Sequence, residues 1–376
     1  MANPRRIVVI GSHPESLINF RGDLLKSLVL AGQDVTVMAA DADPEIVEQL
    51  ASIGVKFRAY PIHRNGLNPI KDLQTFFALY KAFRKIKPDL VLSYTIKPVI
   101  WGGIALKGIV APRFYALVTG LGFAFQGEGF VRKMLTMLVT LLYRISLSRA
   151  SRVIFQNPDN QNLFVSNQII GKNKCALVNG SGVNLKRFAF EPMPDKGKGF
   201  VFLMIARLLG EKGIREYAGA ARIVRKSYPD AVFRLLGHQD PSPDGVPVEE
   251  VRSWVEHGWI EYLGATNDVR PFLAECHVFV LPSYHEGLPR TVLEAMATGR
   301  PILTTDVPGC RETVIPGENG YLVSKADVNA LAERMIWFIE HPEEWTRMGE
   351  RSYILAKDRF DVDRVNREMM KIMGLN

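Results

Sequence analysis

The 376-residue sequence has only three cysteines, Cys175, Cys276 and Cys310, and they are scattered. An odd, dispersed set argues against a disulfide-stabilised secreted fold and gives no metal-ligand spacing. Long apolar runs are also missing: residues 134–147 form a helical run of about 14 residues, whereas a membrane span needs about 20. The start MANPRRIVVIGSH lacks the apolar segment of a signal peptide. We expect a cytoplasmic protein without a transmembrane helix.

Acidic residues are scarce in the first half of the sequence. Residues 1–190 contain 24 Lys and Arg against 11 Asp and Glu, a net charge of +13, whereas the whole chain has a net charge of +8. This asymmetry indicates an anionic partner for the first half, which is a membrane surface, a lipid diphosphate or a nucleic acid. A basic surface that only confers solubility is the alternative.

Two familiar cofactor motifs are absent. The sequence opens with an apolar strand at residues 7–10, a helical pattern over Ser16 to Leu30 and a second strand at residues 35–39. The loop between strand and helix is not the G-x-G-x-x-G dinucleotide fingerprint, which disfavours a dehydrogenase. There is no D-x-D pair in a suitable loop, and His277 and His285 lack companions at ligand spacing, so we expect no metal.

What is present is a globular composition, with 47% hydrophobic and 23% charged residues. The length suits two domains of nearly equal size, each built from alternating strands and helices. A linker rich in Pro, Gly and Lys is predicted from Glu191 to Gly199. In the predicted helix from Asp72 to Ile86, one apolar stripe is interpreted as core: Leu73, Phe76, Phe77, Leu79, Tyr80 and Phe83.

The most informative stretch is LPSYHEGLPRTVLEAMATGRP, residues 281–301. It predicts a buried strand, a polar turn and a helix that Pro289 opens as its first residue and Gly299 closes. The backbone N–H groups at Leu288, Arg290 and Thr291 would then lie at the positive end of the helix dipole. Such a terminus favours phosphate.

Two carboxylates frame that loop and helix. Glu286 lies in the turn, and Glu294 lies in a mostly apolar helix, where an ionised group is costly without a hydrogen-bond partner. A ribose diol would supply one. The alternative is that Glu294 forms an ion pair in the N-terminal turn of the helix or at the surface, and that Glu286 is a solvated loop acid.

In its context, the spacing Glu286, seven residues, Glu294, followed by EAMATGRPIL, resembles the signature of the retaining glycosyltransferases of family 4. The resemblance implies the α/β GT-B fold, with two Rossmann-like doubly wound parallel-sheet domains facing across a cleft. It implies that Glu294 holds the nucleotide ribose and that Glu286 lies beside the donor sugar. The backbone at Gly287, Leu288, Pro289 and Arg290 would meet the diphosphate.

The same resemblance extends to the segment A-R-L…K-G, which contains Arg207 and Lys212. It assigns these two cations to the departing nucleotide diphosphate, which suits an arginine and a lysine beside a helix start. The strand ends at Gly237 and Leu263 would lie near the nucleobase. We expect an N-terminal domain, residues 1–190, that binds the acceptor and faces the membrane, and a C-terminal domain, residues 191–355, that binds the nucleotide sugar. Residues 356–376 would form a helix that crosses back to the first domain.

Acceptor residues are expected at strand ends of the first domain. Lys97 follows a strand and would meet a phosphate, or else is an exposed loop lysine. The segment TGLGFAF contains Thr119, Gly120 and Gly122, and its TGLG context occurs in family 4 enzymes that extend lipid-linked saccharides. His13, in the first loop, is also assigned to the acceptor, although this loop lacks the paired glycines of many family members.

The segment from residue 130 to residue 152 combines an apolar centre with basic flanks. It resembles an interfacial helix, with Arg132, Lys133, Arg144, Arg149 and Arg152 able to reach anionic lipid. Burial between the sheet and a neighbouring helix is the alternative. We expect peripheral association with the inner face of the cytoplasmic membrane.

The resemblance is closest to bacterial enzymes that add an N-acetylhexosamine to an undecaprenyl-diphosphate-linked sugar. It implies a UDP-sugar donor, with UDP-N-acetylgalactosamine favoured, no cofactor, no nucleic acid and a front-face retaining mechanism. Two alternatives stay open. One is a UDP-sugar epimerase of the same architecture, and the other is a noncatalytic nucleotide-sugar-binding membrane protein.

Overall fold

The computed structural model describes residues 4–63, 68–109, 112–121, 125, 129–195 and 199–375. The chain divides into two compact units. The first contains residues 1–181 together with 365–376, and the second contains residues 182–364.

The first unit contains a seven-stranded sheet in which all neighbouring strands are parallel, in the order β3-β2-β1-β4-β5-β6-β7. Its central strands are apolar on both faces because helices cover both sides. The strands are β1 Arg6–Ile10, β2 Asp34–Ala39, β3 Lys56–Ala59, β4 Leu90–Tyr94, β5 Arg113–Val118, β6 Arg152–Phe155 and β7 Cys175–Leu177.

The helices of this unit pack in two layers. One buried core cluster joins a sheet face to α4, α5, α6 and α7, and the other joins the opposite face to α1, α2, α3 and the C-terminal helix α14. Their bounds are α1 Pro14–Asn19, α2 Gly22–Leu30, α3 Pro44–Ser52, α4 Pro69–Ile86, α5 Ile96–Leu106, α6 Phe130–Leu147, α7 Pro158–Ser166 and α14 Val362–Met373.

The prediction of one helix from Ser16 to Leu30 is wrong, since the segment forms α1 and α2. The backbone leaves helical geometry at Arg21, with φ −124° and ψ −8°. There the guanidinium lies over the Tyr94 ring, 5.1 Å from its centroid. Gly22, a residue of low helix propensity, begins the second helix.

The apolar stripe of α4 is also different from the prediction. Leu79 and Phe83 are buried, but Leu73 and Phe77 are 51% and 50% exposed. The helix is apolar on more than one side, and sequence periodicity alone could not tell which side meets the sheet.

The second unit contains a six-stranded parallel sheet in the order β10-β9-β8-β11-β12-β13. The strands are β8 Val201–Ile205, β9 Val232–Leu236, β10 Glu261–Tyr262, β11 Val278–Leu281, β12 Ile302–Thr305 and β13 Gly320–Val323. The helices are α8 Ile214–Val224, α9 Val248–Glu256, α10 Arg270–Glu275, α11 Arg290–Ala297, α12 Val328–Glu340 and α13 Glu343–Leu355.

The terminal segment is not one continuous helix. A π-helical turn, Ala356–Phe360, separates α13 from α14. The end of α14 belongs to the core of the first unit, where Met369 and Met373 are buried. The Tyr115 hydroxyl donates a hydrogen bond to the Met373 carbonyl at 3.1 Å.

Candidate functional site

Lys212 and Glu286 form a nearly buried ion pair in the second unit. Lys212 Nζ donates to Glu286 Oε1 at 2.7 Å, and the two side chains are only 14% and 17% exposed. Burial acts to lower the pKa of Lys212, but the Glu286 carboxylate outweighs it and holds that pKa above its ordinary value. Lys212 therefore carries a positive charge at neutral pH.

Arg207, which follows β8, is paired in the same way. Its guanidinium donates to Asp240 Oδ2 at 2.5 Å. The pKa of Asp240, which burial would raise, is held below its ordinary value by hydrogen bonds from Ser242 and by the charge of Arg207. Asp240 was not selected from the sequence, although an acid a few residues beyond a strand end is a signal that could have found it.

The loops that hold these cations are packed tightly together. Gly213 has φ +74°, and a Cβ there would clash with the Pro282 carbonyl, so the loop after β8 can lie directly against the loop after β11. The Tyr284 backbone N–H donates to the Glu211 carbonyl at 2.8 Å. The Tyr284 hydroxyl donates to Glu216 Oε1 at 2.6 Å, which ties the Glu286 loop to α8.

The start of α11 differs by one residue from the prediction. The helix begins at Arg290, and Pro289 precedes it with extended backbone, φ −73° and ψ 112°. The Pro289 carbonyl accepts hydrogen bonds from Val292 and Leu293, as expected for a residue just outside a helix. Leu288 is buried beside this terminus.

Glu294 lies one turn further along α11 and is buried. Arg290 Nε donates to Glu294 Oε1 at 2.8 Å. The sequence left open an ion pair in the N-terminal turn or at the surface for Glu294, and the structure shows an ion pair with the first residue of α11 that is buried rather than at the surface. Burial raises the pKa of Glu294 above its ordinary value, although Arg290 opposes the shift.

Gly237 and Leu263 lie at the ends of β9 and β10. A Cβ on Gly237 would clash with the Ala206 carbonyl, so glycine at this position allows the end of β9 to lie directly against the segment that follows β8. The Tyr262 hydroxyl donates to the Gly237 carbonyl at 2.8 Å. Leu263 is partly exposed beyond its strand.

The parallel sheet brings the predicted donor residues to one edge. Strands β10, β9, β8 and β11 are consecutive neighbours, and each predicted residue follows the carboxyl end of one of them. Open parallel sheets bind ligands at this edge. A nearly buried lysine and a partly exposed arginine beside a helix start are suited to an anion such as a diphosphate. These residues are Arg207, Lys212, Gly237, Leu263, Glu286, Gly287, Leu288, Pro289, Arg290 and Glu294.

The predicted acceptor residues follow three neighbouring strands of the first unit, β1, β4 and β5. His13 is half-exposed and paired with Glu15. Lys97 lies in the first turn of α5 and is neither exposed nor in a loop, because its Nζ donates to the buried Asp72 Oδ1 at 2.9 Å. Thr119 and Gly120 follow β5.

Gly122 lies outside the residues that the structure describes. Within the described part of the chain, there is no group of three or more His, Cys, Asp or Glu residues that could hold a metal ion. Over the same residues, no helix has the length and hydropathy needed to cross a membrane.

Comparison with known proteins connects both units to sugar transfer. Residues 17–157 match a family model described as glycosyl transferase 4-like. Residues 199–341 match the model described as glycosyl transferases group 1.

Two relatives have names that specify a lipid-diphosphate acceptor. The chain is 31% identical over 346 residues to an N,N'-diacetylbacillosaminyl-diphospho-undecaprenol alpha-1,3-N-acetylgalactosaminyltransferase from Campylobacter jejuni, with 89% of each chain covered. It is 27% identical over 289 residues to a UDP-Gal:alpha-D-GlcNAc-diphosphoundecaprenol alpha-1,3-galactosyltransferase from Escherichia coli, with 72% of this chain and 71% of that protein covered.

Solved structures support the fold class. The structure superposes on a sucrose-phosphate synthase from Thermosynechococcus elongatus with a TM-score of 0.82, 20% identity and 98% of each chain covered. It superposes on Anabaena HepE in complex with UDP-glucose with a TM-score of 0.78, 19% identity and coverage of 98% and 99%. The predicted GT-B class, with two parallel-sheet α/β domains, is confirmed. The chain belongs to the family 4 glycosyltransferases.

Proposed function

We propose that this glycosyltransferase moves an N-acetylhexosamine, with N-acetylgalactosamine favoured, from a UDP-sugar to an undecaprenyl-diphosphate-linked saccharide in bacterial glycan assembly. The names of the Campylobacter and E. coli relatives support a lipid-diphosphate acceptor and a galactose-configured sugar. The HepE complex with UDP-glucose supports a UDP-sugar as donor.

The observation that carries the donor half of the proposal is the grouping of Arg207, Lys212 and the start of α11 at one edge of the second sheet. Negative charge grows on the UDP oxygens as the sugar leaves. Cations already fixed in a partly buried site stabilise that charge with little reorganisation. The protein then needs no metal ion for the transfer.

In this proposal the sugar keeps its anomeric configuration. Glu286 is an orienting hydrogen-bond acceptor rather than a nucleophile, since its carboxylate is engaged by Lys212. A double displacement would need a second catalytic acid at about 5 Å. A front-face reaction, in which the leaving phosphate takes the acceptor proton, is consistent with this role.

The first unit would receive the acceptor. Lys97, Thr119, Gly120 and His13 follow neighbouring strand ends of its sheet, and its sequence is strongly basic. Helix α6 would contact the cytoplasmic membrane from the inner face, where anionic headgroups attract basic residues.

The proposal is tested with a panel of UDP-sugars and short-chain polyprenyl-diphosphate saccharides, scored for UDP release with and without acceptor. Acceptor-dependent UDP release, highest with UDP-N-acetylgalactosamine, is expected, together with an extended lipid-linked product on mass spectrometry. Interconversion of UDP-sugars without acceptor would identify an epimerase instead. UDP binding without any conversion would identify a noncatalytic binding protein.

A further inference from the structure

Helices α4 and α6 lie on the same face of the first sheet. Leu79 and Phe83 of α4 and Val139 and Tyr143 of α6 belong to one core cluster with that face, and α5 packs between the two helices. The sides of α4 and α6 that do not enter this cluster therefore point away from the sheet. They form the outside of a single helical layer.

That outer side is apolar on both helices. On α4, Leu73 and Phe77 are about half exposed, and Ile70 one turn earlier is exposed as well. On α6, Met134 and Met137 are 59% and 74% exposed. Both sets recur every three or four residues, as a stripe along one side of a helix does. We name this surface the α4–α6 surface, and its members are Ile70, Leu73, Phe77, Phe130, Met134, Met137, Leu138, Leu141 and Ile145.

The charge around the α4–α6 surface has one sign. Exposed basic residues of α4 and α6 adjoin it: Lys71, Lys81, Arg84, Lys85, Lys133 and Arg144. The sequences of α4, α5 and α6 contain one acid, Asp72, which is buried and paired with Lys97. The positive charge is therefore not neutralised within the layer.

We propose that the α4–α6 surface docks on an anionic phospholipid bilayer, with α4 as a second lipid-contacting helix beside α6. Apolar side chains would enter the boundary between headgroups and acyl chains, and the lysines and arginines would contact anionic headgroups. A second copy of the chain is disfavoured as the occupant because a twofold contact would place basic residues against basic residues. The proposal rests on the proposed use of a membrane-linked acceptor, but its test measures binding and needs no turnover.

The test is sedimentation of the full chain with vesicles of phosphatidylglycerol and phosphatidylethanolamine, and with vesicles of phosphatidylcholine alone. The wild-type chain should bind the anionic vesicles and should not bind the neutral ones. Salt should weaken the binding to anionic vesicles. The double variant Leu73→Ser, Phe77→Ser should lower the partition coefficient at least tenfold. Met134→Ser, Met137→Ser should do the same.

The matched control is Leu30→Ser, an exposed leucine at the end of α2 on the opposite face of the sheet. It should bind vesicles as the wild type does. Thermal unfolding of each variant confirms that these surface changes leave the fold intact. Transfer to a water-soluble short-chain acceptor should be unchanged in the Leu73, Phe77 variant, so loss of membrane binding is separated from loss of catalysis.

Three results would overturn the proposal. If the α4 variant binds vesicles like the wild type while the α6 variant does not, α4 is not part of the docking surface. If the wild-type chain does not bind anionic vesicles, the surface is not a membrane site. If the chain forms a dimer that the α4 and α6 substitutions dissociate, the occupant is a second copy.

Discussion

At the scale of single residues, Lys212 has two competing partners in the proposed reaction, the Glu286 carboxylate and the donor diphosphate. In the structure Lys212 is paired with Glu286 at 2.7 Å. Glu286→Gln removes the competing charge, so UDP should bind about tenfold more tightly, a change of about 1.4 kcal/mol. Turnover should fall, because UDP leaves more slowly and the donor sugar loses its ionised hydrogen-bond acceptor.

Calorimetry with UDP and steady-state kinetics measure both effects on the same variant. Lys212→Met is the complementary change and should weaken UDP binding, since it removes the cation itself. Weaker UDP binding by the Glu286→Gln variant would contradict the competition between the two partners.

Arg207 is expected to act mainly on the rate. Arg207→Gln should lower kcat/KM about 10²- to 10³-fold, as loss of a group that stabilises developing charge does. The control is Arg347→Gln, an exposed arginine paired with Glu344 at the surface of α13, which should change kcat/KM less than twofold. Equal activity of the two variants would exclude Arg207 from the reaction.

Glu294 should give UDP binding a distinctive pH dependence. Burial raises its pKa, so the carboxylate is lost at a higher pH than for an ordinary glutamate as the solution is acidified. A protonated carboxyl is a weaker hydrogen-bond acceptor than a carboxylate, so UDP affinity should fall through this pH range. Glu294→Gln should bind more weakly at neutral pH and show no such fall. An identical pH profile for variant and wild type, measured by titration calorimetry, would argue against ribose binding.

The residues of the candidate donor site, apart from Asp240, were selected from the sequence, but their pairings could not be predicted from it. The E-x₇-E spacing selected Glu286 and Glu294, whose roles still need the experiments above. The spacing said nothing of the ion pairs with Lys212 and Arg290. Lys212 is 74 positions from Glu286, and only the packed strand ends bring them into contact.

At the scale of elements, α14 contributes to the first unit although it comes last in the sequence. Met373 is fully buried there, and the Arg5 guanidinium donates to the Gly374 carbonyl at 2.7 Å. Met373→Ala should lower the free energy of unfolding by about 2–5 kcal/mol through the cavity it leaves. Lys371→Ala, on the exposed side of α14, should change it by less than about 0.5 kcal/mol.

Urea unfolding followed by circular dichroism checks this pair of variants. An equal, small effect of both substitutions would show that the end of α14 is not needed for the first unit. Truncation after Tyr353, which removes all of α14, should abolish folding or activity.

Strands were the elements that the sequence predicted well, and helices on the surface were predicted less well. A buried parallel strand is an uninterrupted apolar run, such as residues 7–10 or 201–205. Both of its faces are covered, so the prediction does not have to decide which face meets the core. Helix α4 is apolar around much of its circumference, so the sequence could not show that Leu73 and Phe77 are exposed. The break at Arg21 depends on its contact with Tyr94, which is distant in sequence.

At the scale of the whole molecule, the charge asymmetry agrees with a division of labour between two units. The strongly basic first half suits a membrane-linked diphosphate acceptor, and the second half places Arg207 and Lys212 beyond the carboxyl ends of its strands. The fold class followed from motifs spread along nearly the whole chain. The identity of the donor sugar did not follow from these motifs, because few contacts determine it and a shared fold does not specify it.

The proposed transfer requires that the second unit bind the departing nucleotide at the Arg207 and Lys212 edge of its sheet. A crystal structure with UDP bound measures this directly. The predicted result has diphosphate oxygens about 2.7–3.2 Å from the Arg207 and Lys212 nitrogens and the ribose diol on Glu294. UDP bound away from this edge, with Lys212 paired only to Glu286, would contradict the proposed donor site.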